Sequence, residues 1–301
     1  MSVAIDPMSG KSTVRRSEPM SRHTSWRVGG AADLYYEPGT VDDLRSFLAS
    51  LPQDCPVTWI GLGSNLLVRD GGIRGAVIAT SALPKIFEHA SGGRVRASAA
   101  LPCATLAKRA ARLGLGPAAF FAGIPGSLGG ALAMNAGAFG GETWDSVAGV
   151  ETIDRAGVIG TRDRSDYEIG YRSVRGPERE WFLAATFAFA EALPAEPARI
   201  RSLLRERSDK QPLGLPSAGS VFRNPEGAHA GELIEKAGLK GMRLGGAVVA
   251  DKHANFIINT GSATAADIET LIEVIRQRVS EATGIELVPE VRILGERKES
   301  R

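Results

Sequence analysis

Residues 121–142 read FAGIPGSLGGALAMNAGAFGGE, and glycine or alanine fills twelve of these 22 positions. A glycine inside a regular element costs about 0.5–1 kcal/mol relative to alanine, so the seven glycines here need a compensating reason. Two are available: backbone held at positive φ in tight turns, or backbone brought against a ligand whose bulk leaves no room for a Cβ. Glu142 is the one charged residue of the stretch, so a phosphate bound here would meet backbone N–H groups and not Lys or Arg. A glycine-rich surface loop is the bland alternative. Ile124, Leu128, Leu132, Met134 and Phe139 argue against it, because a solvated linker does not carry them.

A second small-residue loop, GLGSN at 61–65, follows the strand-like run PVTWI at 56–60. The dinucleotide fingerprint GxGxxG fails here, since Leu66 stands where its third glycine belongs. Two such loops, 61–65 and 123–130, still suit the two phosphates or the two halves of one long cofactor, and a dinucleotide is the natural candidate. SGKST at 9–13 imitates the end of a P-loop, but Ile5 stands where the pattern needs glycine and no strand precedes it.

The chain has 301 residues, with 36 basic against 34 acidic, and no stretch interleaves basic and aromatic residues, which argues against nucleic acid as a partner. Cys55 and Cys103 form no CxxC or Cys/His cluster, which fits a reducing compartment and no structural metal. No apolar run approaches a membrane span of ~18–20 residues, and residues 1–20 lack the apolar core of a secretion signal and read as a disordered tail.

Strand-like runs recur at 56–60, 75–79, 94–99, 149–153 and 181–190, with helical spacing at 41–50 and 103–113. This is mixed α and β without the regular beat of a Rossmann domain. ALPAEPARIRSLLRERSDKQP at 192–212 turns from Pro-punctuated to strongly charged and suggests a domain seam near 190. Beyond it, TAADIETLIEVIRQRVSEATG at 264–284 reads as a helix with Ile268, Leu271, Ile272, Ile275 and Val279 on one face, a Thr264/Asp267 capping box and Gly284 at its end. IELVPEVRIL at 285–294 reads as a strand that starts or lies at an edge near Pro289, which lets Glu290 face a cleft. PSAGSVFRNP at 216–225 reads as a turn leading into a strand and lacks a GxSxG elbow; His253 and Asn255 read as turn formers.

Together with TSWRVGGAAD at 24–33, GLGSNLLVRDGGIRG at 61–75, GIPGSLGGALAMNAGAFGGE at 123–142, YR at 171–172 and PEVRIL at 289–294, these motifs make the chain resemble the UDP-N-acetylenolpyruvoylglucosamine reductase (MurB) family of peptidoglycan synthesis, from about Thr24 to Leu294. The resemblance implies an α+β fold: a PCMH-type (VAO-like) FAD-binding module over 21–190, in subdomains of about 21–82 and 83–190, then a C-terminal α+β substrate-binding domain over 191–301. It implies that Gly61, Gly63, Ser64, Asn65, Ile124, Gly126, Ser127, Gly129, Gly130, Ala136 and Gly137 border FAD, with glycines making room and N–H groups holding the pyrophosphate.

The implied reaction is a hydride relay: NADPH reduces FAD at N5, and the flavin then delivers hydride to C3 of UDP-N-acetylglucosamine enolpyruvate, giving UDP-N-acetylmuramate. Arg172 and Glu290 are implied to stabilise the enolate, Ser220 to protonate C2, and Arg207, Lys210 and Asn224 to hold the UDP moiety. Glu290 then needs a site that raises its pKa. Phe139, Arg223 and Val174 depart from the family's usual Tyr, Lys and Ser, and the short 171–181 region indicates the subtype without an extra substrate-lid loop. A cytoplasmic monomer is expected; the alternative is another FAD-dependent oxidase of the superfamily, acting on an alcohol or sugar.

Overall fold

In a computed structural model of the chain, residues 12–191 and 196–298 are described. They fall into two compact units. The first takes the residues up to Arg15, Tyr35–Gly61 and Ala76–Arg205; the second takes Arg16–Leu34, Leu62–Gly75 and the chain from Glu206 on.

In the first unit, Thr40 opens helix α1 (Val41–Ser50) by accepting the Asp43 N–H at 3.0 Å. The helix buries Leu44, Phe47 and Leu48, and Phe47 stacks on Tyr36 with centroids 3.8 Å apart. Val57–Ile60 runs parallel to residues 76–79. In this unit residues 13–15, 35–37, 76–79 and 57–60, from the strands Thr13–Pro19, Ala31–Glu37, Ile73–Ala79 and Val57–Ile60, lie side by side in that order. Residues 13–19 therefore correct the expectation of a disordered tail over 1–20. Arg15 pairs with Glu37 at 2.9 Å and lies over the Tyr35 ring, so side-chain contacts supply what this polar strand lacks in apolar surface. Ser12 of the P-loop look-alike bonds Asp43 Oδ2 at 2.8 Å and the Gly39 N–H at 2.9 Å. Residues 1–11 lie outside the described residues.

The larger sheet of this unit is antiparallel, ordered Ile159–Asp163, Val147–Asp154, Glu180–Ala188, Arg94–Ser98, Phe87–Ala90. Helix α2 (Cys103–Arg112) buries Cys103, Leu106, Ala107, Ala110 and Ala111, one helical face of mostly small residues. They share a core with Val95, Phe121, Leu132, Trp144 and Phe187. Burial pushes the Cys103 thiol up to about 12, whereas Cys55 is partly exposed. An aromatic disulfide reagent is expected to titrate one thiol in the native protein and two after unfolding; two fast thiols in the native state would contradict this packing.

Helix α3 (Leu128–Met134) forms inside the glycine-rich stretch, against the poor helix propensity of Gly129 and Gly130. Tertiary bonds hold its start: Leu128 N–H and Gly129 N–H donate to the Leu101 and Ala99 carbonyls at 2.9 Å each. Asn135, at φ +47°, ends it in the left-handed conformation. Helix α4 (Glu196–Lys210) shows why the composition shift near 190 is not where packing changes. Glu196 is buried and accepts the Ala118 and Ala119 N–H groups at 3.1 and 2.9 Å, and Ile200 joins the first unit's core. The charge run is the solvent side of α4, and the contact boundary falls within that helix, after Arg205.

The second unit holds an antiparallel sheet of Arg243–Leu244, Ala247–Val249 and Ile257–Asn259, with helices α5 (Ala230–Lys236) and α6 (Ala265–Thr283). In α6 the Thr264/Asp267 capping box is formed, Gly284 closes the end at φ +72°, and Ile268, Leu271, Ile272, Ile275 and Val279 are fully buried. Each such side chain contributes about 1.5–3 kcal/mol on burial. The Asp70 carboxylate accepts the Ala265 and Ala266 N–H groups at 3.1 and 2.9 Å, and Arg69 grips Glu269 with both arms at 2.9 and 3.0 Å. Trp26, fully buried, donates its indole N–H to the Ile257 carbonyl at 2.7 Å, while Asn259 donates to the Trp26 carbonyl at 2.8 Å. That exchange explains why TSWRVGG is tied into this unit.

The strand expected over 285–294 is shorter: Arg292–Leu294, parallel to Leu66–Val68. Pro289 has no N–H to donate, and only an isolated bridge to Phe222 forms there.

Candidate active site

Glu168–Gly170 and Ser173–Arg175 form a hairpin with Gly170 opposite Ser173, so its connection is Tyr171–Arg172. Arg172 adopts φ +53°, a left-handed conformation that costs a non-glycine residue about 1–2 kcal/mol. Its guanidinium Nη2 donates to the Gly137 carbonyl at 2.9 Å and Nη1 to the Asn135 carbonyl at 3.4 Å. Glu142 Oε1 lies 3.5 Å from Nη1, and the Tyr171 ring centroid lies 4.9 Å from Cζ. Asn135 holds the cluster together: its Nδ2 donates to Glu142 Oε2 at 2.7 Å and to the Gly170 carbonyl at 3.1 Å. A Cβ on Gly137 would sit 3.0 Å from Arg172 Nη1 and 3.1 Å from Glu142 Cγ. The Gly141 carbonyl on the paired strand is nearer still and would collide with that Cβ, so the close pairing of Gly137–Ala138 with Gly141–Glu142 requires the glycine, and the cation uses the room it leaves.

Much of the room left by absent side chains is taken by the protein itself: Phe139 and Ala138 fill the space at Gly123, the Phe120 ring that at Gly141, and Ala99 that at Gly129. The Leu128 and Gly129 N–H groups are likewise committed to carbonyls, so they are not the expected pyrophosphate donors. Open space remains at Gly130, where a Cβ would meet nothing nearer than Ser127 Oγ at 3.9 Å. Ser127 is 1% exposed, its Oγ has no hydrogen-bond partner, and a Cβ at Gly61 would collide with it. An orphaned hydroxyl costs about 1–3 kcal/mol until something bonds it. A polar cofactor edge placed between Gly61 and Gly130 would supply that bond, so this part of the site fits FAD. Ile124 and Ala136 are buried beside it in the same core.

In the second unit, Gly63, at φ +65°, owes its missing side chain to the His23 carbonyl. Ser64 is half-buried, and Asn65 Nδ2 donates to the Glu290 carbonyl at 3.1 Å. Ser220 and Glu290 are brought onto neighbouring extended segments. Glu290 N–H donates to the Val221 carbonyl at 2.7 Å, and Arg223 N–H to the Val288 carbonyl at 2.9 Å. Both Ser220 and Glu290 are half-buried, between the buried Val221, Phe222 and Val291 and solvent.

The three nucleotide candidates differ in their commitments. Arg207 bonds Gln211 at 2.8 Å, and burial holds its pKa below the usual guanidinium value. Lys210 is exposed and paired with Glu206 at 2.7 Å. Asn224 is exposed, and its Oδ1 accepts the Ala230 N–H at 3.0 Å at the start of α5. His253 packs edge-on against Phe256 at 4.9 Å; burial lowers its pKa, and Nδ1 accepts the Asn255 N–H at 3.3 Å. Among the described residues no group of three or more His, Cys, Asp and Glu is placed to hold a metal.

Two members of these clusters are not among the site residues expected from the sequence. Glu142 had a signal, as the single charge in a stripped stretch. Asn255 reads from the sequence only as a turn former, because Phe222, which its side chain bonds, is 33 residues away in the chain.

A family model described as an FAD binding domain matches residues 32–161. A second, described as the C-terminal domain of UDP-N-acetylenolpyruvoylglucosamine reductase, matches residues 211–294. The two models define a flavoenzyme of α+β architecture, an FAD-binding module joined to a C-terminal domain of that type. Over 284 residues, 94% of this chain and 95% of the relative, it is 55% identical to a protein of Alkalilimnicola ehrlichii named UDP-N-acetylenolpyruvoylglucosamine reductase. A Methylococcus capsulatus protein of the same name is 53% identical over 93% of this chain and 92% of its own length. The crystal structure of the Thermus caldophilus enzyme (MurB) superposes with a TM-score of 0.80 at 31% identity, covering 95% of this chain and all of that one. The chain belongs to the UDP-N-acetylenolpyruvoylglucosamine reductase family.

Proposed function

We infer that this chain is an NADPH-dependent oxidoreductase that reduces the enolpyruvyl group of UDP-N-acetylglucosamine enolpyruvate to UDP-N-acetylmuramate, in peptidoglycan precursor synthesis. The observation that carries the reading is family membership across nearly the whole chain. The Ser127 cradle between Gly61 and Gly130 would hold FAD, which when bound would supply hydride transfer from NADPH to C3 of the enolpyruvyl double bond. The side chains handle the charge and the proton. Hydride at C3 leaves negative charge on C2 and its carboxylate, and Arg172 opposes that charge while binding the carboxylate. Glu290 assists on the same enolate, and Ser220 donates the proton that C2 receives.

Arg207, Lys210 and Asn224 hold the UDP moiety. Burial of the Arg207 cation supports this, since among the described residues it pairs with no carboxylate and a diphosphate would balance it. The two family matches, over 32–161 and 211–294, support an FAD-holding part followed by a substrate-binding part, divided somewhere between residues 161 and 211. No helix among the described residues is long and apolar enough to cross a membrane, and we take the enzyme to work as a monomer in the cytoplasm.

An anaerobic absorbance trace tests the function directly. The protein, reduced by NADPH and freed of excess, should regain its oxidised flavin spectrum when UDP-N-acetylglucosamine enolpyruvate is added. A flavin that stays reduced until oxygen enters would point instead to an oxidase. The cofactor cradle has its own test in Ser127→Ala. Removing an orphaned hydroxyl should leave the apoprotein no less stable, while the Kd for FAD rises up to about tenfold, the worth of one hydrogen bond. An unchanged Kd would remove Ser127 from the cofactor's contacts.

A further inference from the structure

Ser220 lies on a segment with no regular strand of its own. Gly219 before it adopts φ +75°, and a Cβ there would meet nothing within 4 Å, while Ala218 is buried in the core and the Pro216 carbonyl accepts the Asn259 N–H at 3.0 Å. The bonds nearest to Ser220 are made just after it, at residues 221 and 222. Asn255, 3% exposed, faces residues 221 and 222 with three bonds: Val221 N–H to the Asn255 carbonyl at 2.9 Å, Phe222 N–H to Oδ1 at 2.9 Å, and Nδ2 to the Phe222 carbonyl at 2.8 Å. The amide side chain thus does for Phe222 what a neighbouring strand would do, satisfying both backbone groups at once. On the opposite edge the Val221 carbonyl takes the Glu290 N–H at 2.7 Å. The Asn255 N–H is itself held by His253 Nδ1.

We propose that Asn255 is a positioning residue for the proton transfer: it clamps Val221–Phe222 and so sets where Ser220 stands relative to Glu290. The inference rests on the role given to Ser220. A displacement of about 1 Å in a reacting group costs on the order of 10²-fold in rate, which is the size of effect a loosened clamp should have.

The experiment separates the two half-reactions in the FAD-loaded enzyme. Asn255→Ala, and the isosteric Asn255→Asp, which keeps Oδ1 but loses the donor to the Phe222 carbonyl, should be reduced by NADPH at the normal rate. Reoxidation by saturating UDP-N-acetylglucosamine enolpyruvate should slow about 10²-fold, and the Phe222 amide should exchange hydrogen faster. The decisive readout is coupling: Asn255→Ala combined with Ser220→Ala should be about as slow as Ser220→Ala alone. Additive losses, or an equal slowing of both half-reactions, would show that Asn255 merely stabilises the unit and overturn the proposal. Normal reoxidation by Ser220→Ala would remove the role of Ser220, and this inference with it.

Discussion

Ser220→Ala is expected to be reduced by NADPH at a near-normal rate and to be reoxidised by the UDP-sugar about 10²–10³-fold more slowly, a loss of roughly 2.7–4 kcal/mol of transition-state stabilisation. The split follows from where the residue stands. Ser220 lies on the second unit's extended segment beside Glu290, whereas the Ser127 cradle that fits FAD belongs to the first unit. Removing one half-buried hydroxyl leaves the Val221, Phe222 and Glu290 bonds in place, since all of them are made by backbone or by Asn255. Rapid-mixing absorbance measures each half-reaction alone. If NADPH reduction collapsed as well, the proton-donor role would be wrong.

Arg172 offers a prediction in which activity and stability move apart. Arg172→Gly should lose turnover by at least 10²-fold, with weaker retention of the UDP-sugar, because the cation that opposes the enolate is gone. The same change relieves the φ +53° backbone, so the variant should be about 1 kcal/mol more stable than Arg172→Ala, which is equally inactive but keeps the strain. Arg172→Lys keeps the charge but not the fork that reaches the Gly137 and Asn135 carbonyls, and should fall between. Turnover and thermal unfolding of the three variants decide it. Full turnover in Arg172→Gly would remove the residue from the reaction.

What could be read in the sequence was what is local. Helix α6 was visible with both caps because the Thr264/Asp267 box, the apolar face and Gly284 all lie within the element. Helix α1 and the strands at Val57–Ile60 and Arg94–Ser98 were visible for the same reason. Helix α3 was not, since it depends on the Leu101 and Ala99 carbonyls more than on its own residues. Neither was the strand Leu66–Val68, whose partner is Arg292–Leu294. In the site, the residue types were legible through the motifs, but their supports were not. The contacts of Arg172 with Gly137, Asn135 and Glu142, and the grip of Asn255 on Phe222, are pairings between distant positions that no local pattern encodes.

The second unit is assembled from three separated stretches of chain, and its core needs all of them. Trp26, Val28 and Leu67 are buried among Ile257, Ile272 and Val291, and the Trp26–Ile257 bond joins residues 231 positions apart. Closing contacts of that span is slow, and the surfaces awaiting them are apolar. During synthesis the indole of Trp26 leaves the ribosome long before its partner exists. The second unit therefore cannot close until Arg292–Leu294, the partner of Leu66–Val68, has been made, so its folding waits on contacts that local structure cannot anticipate.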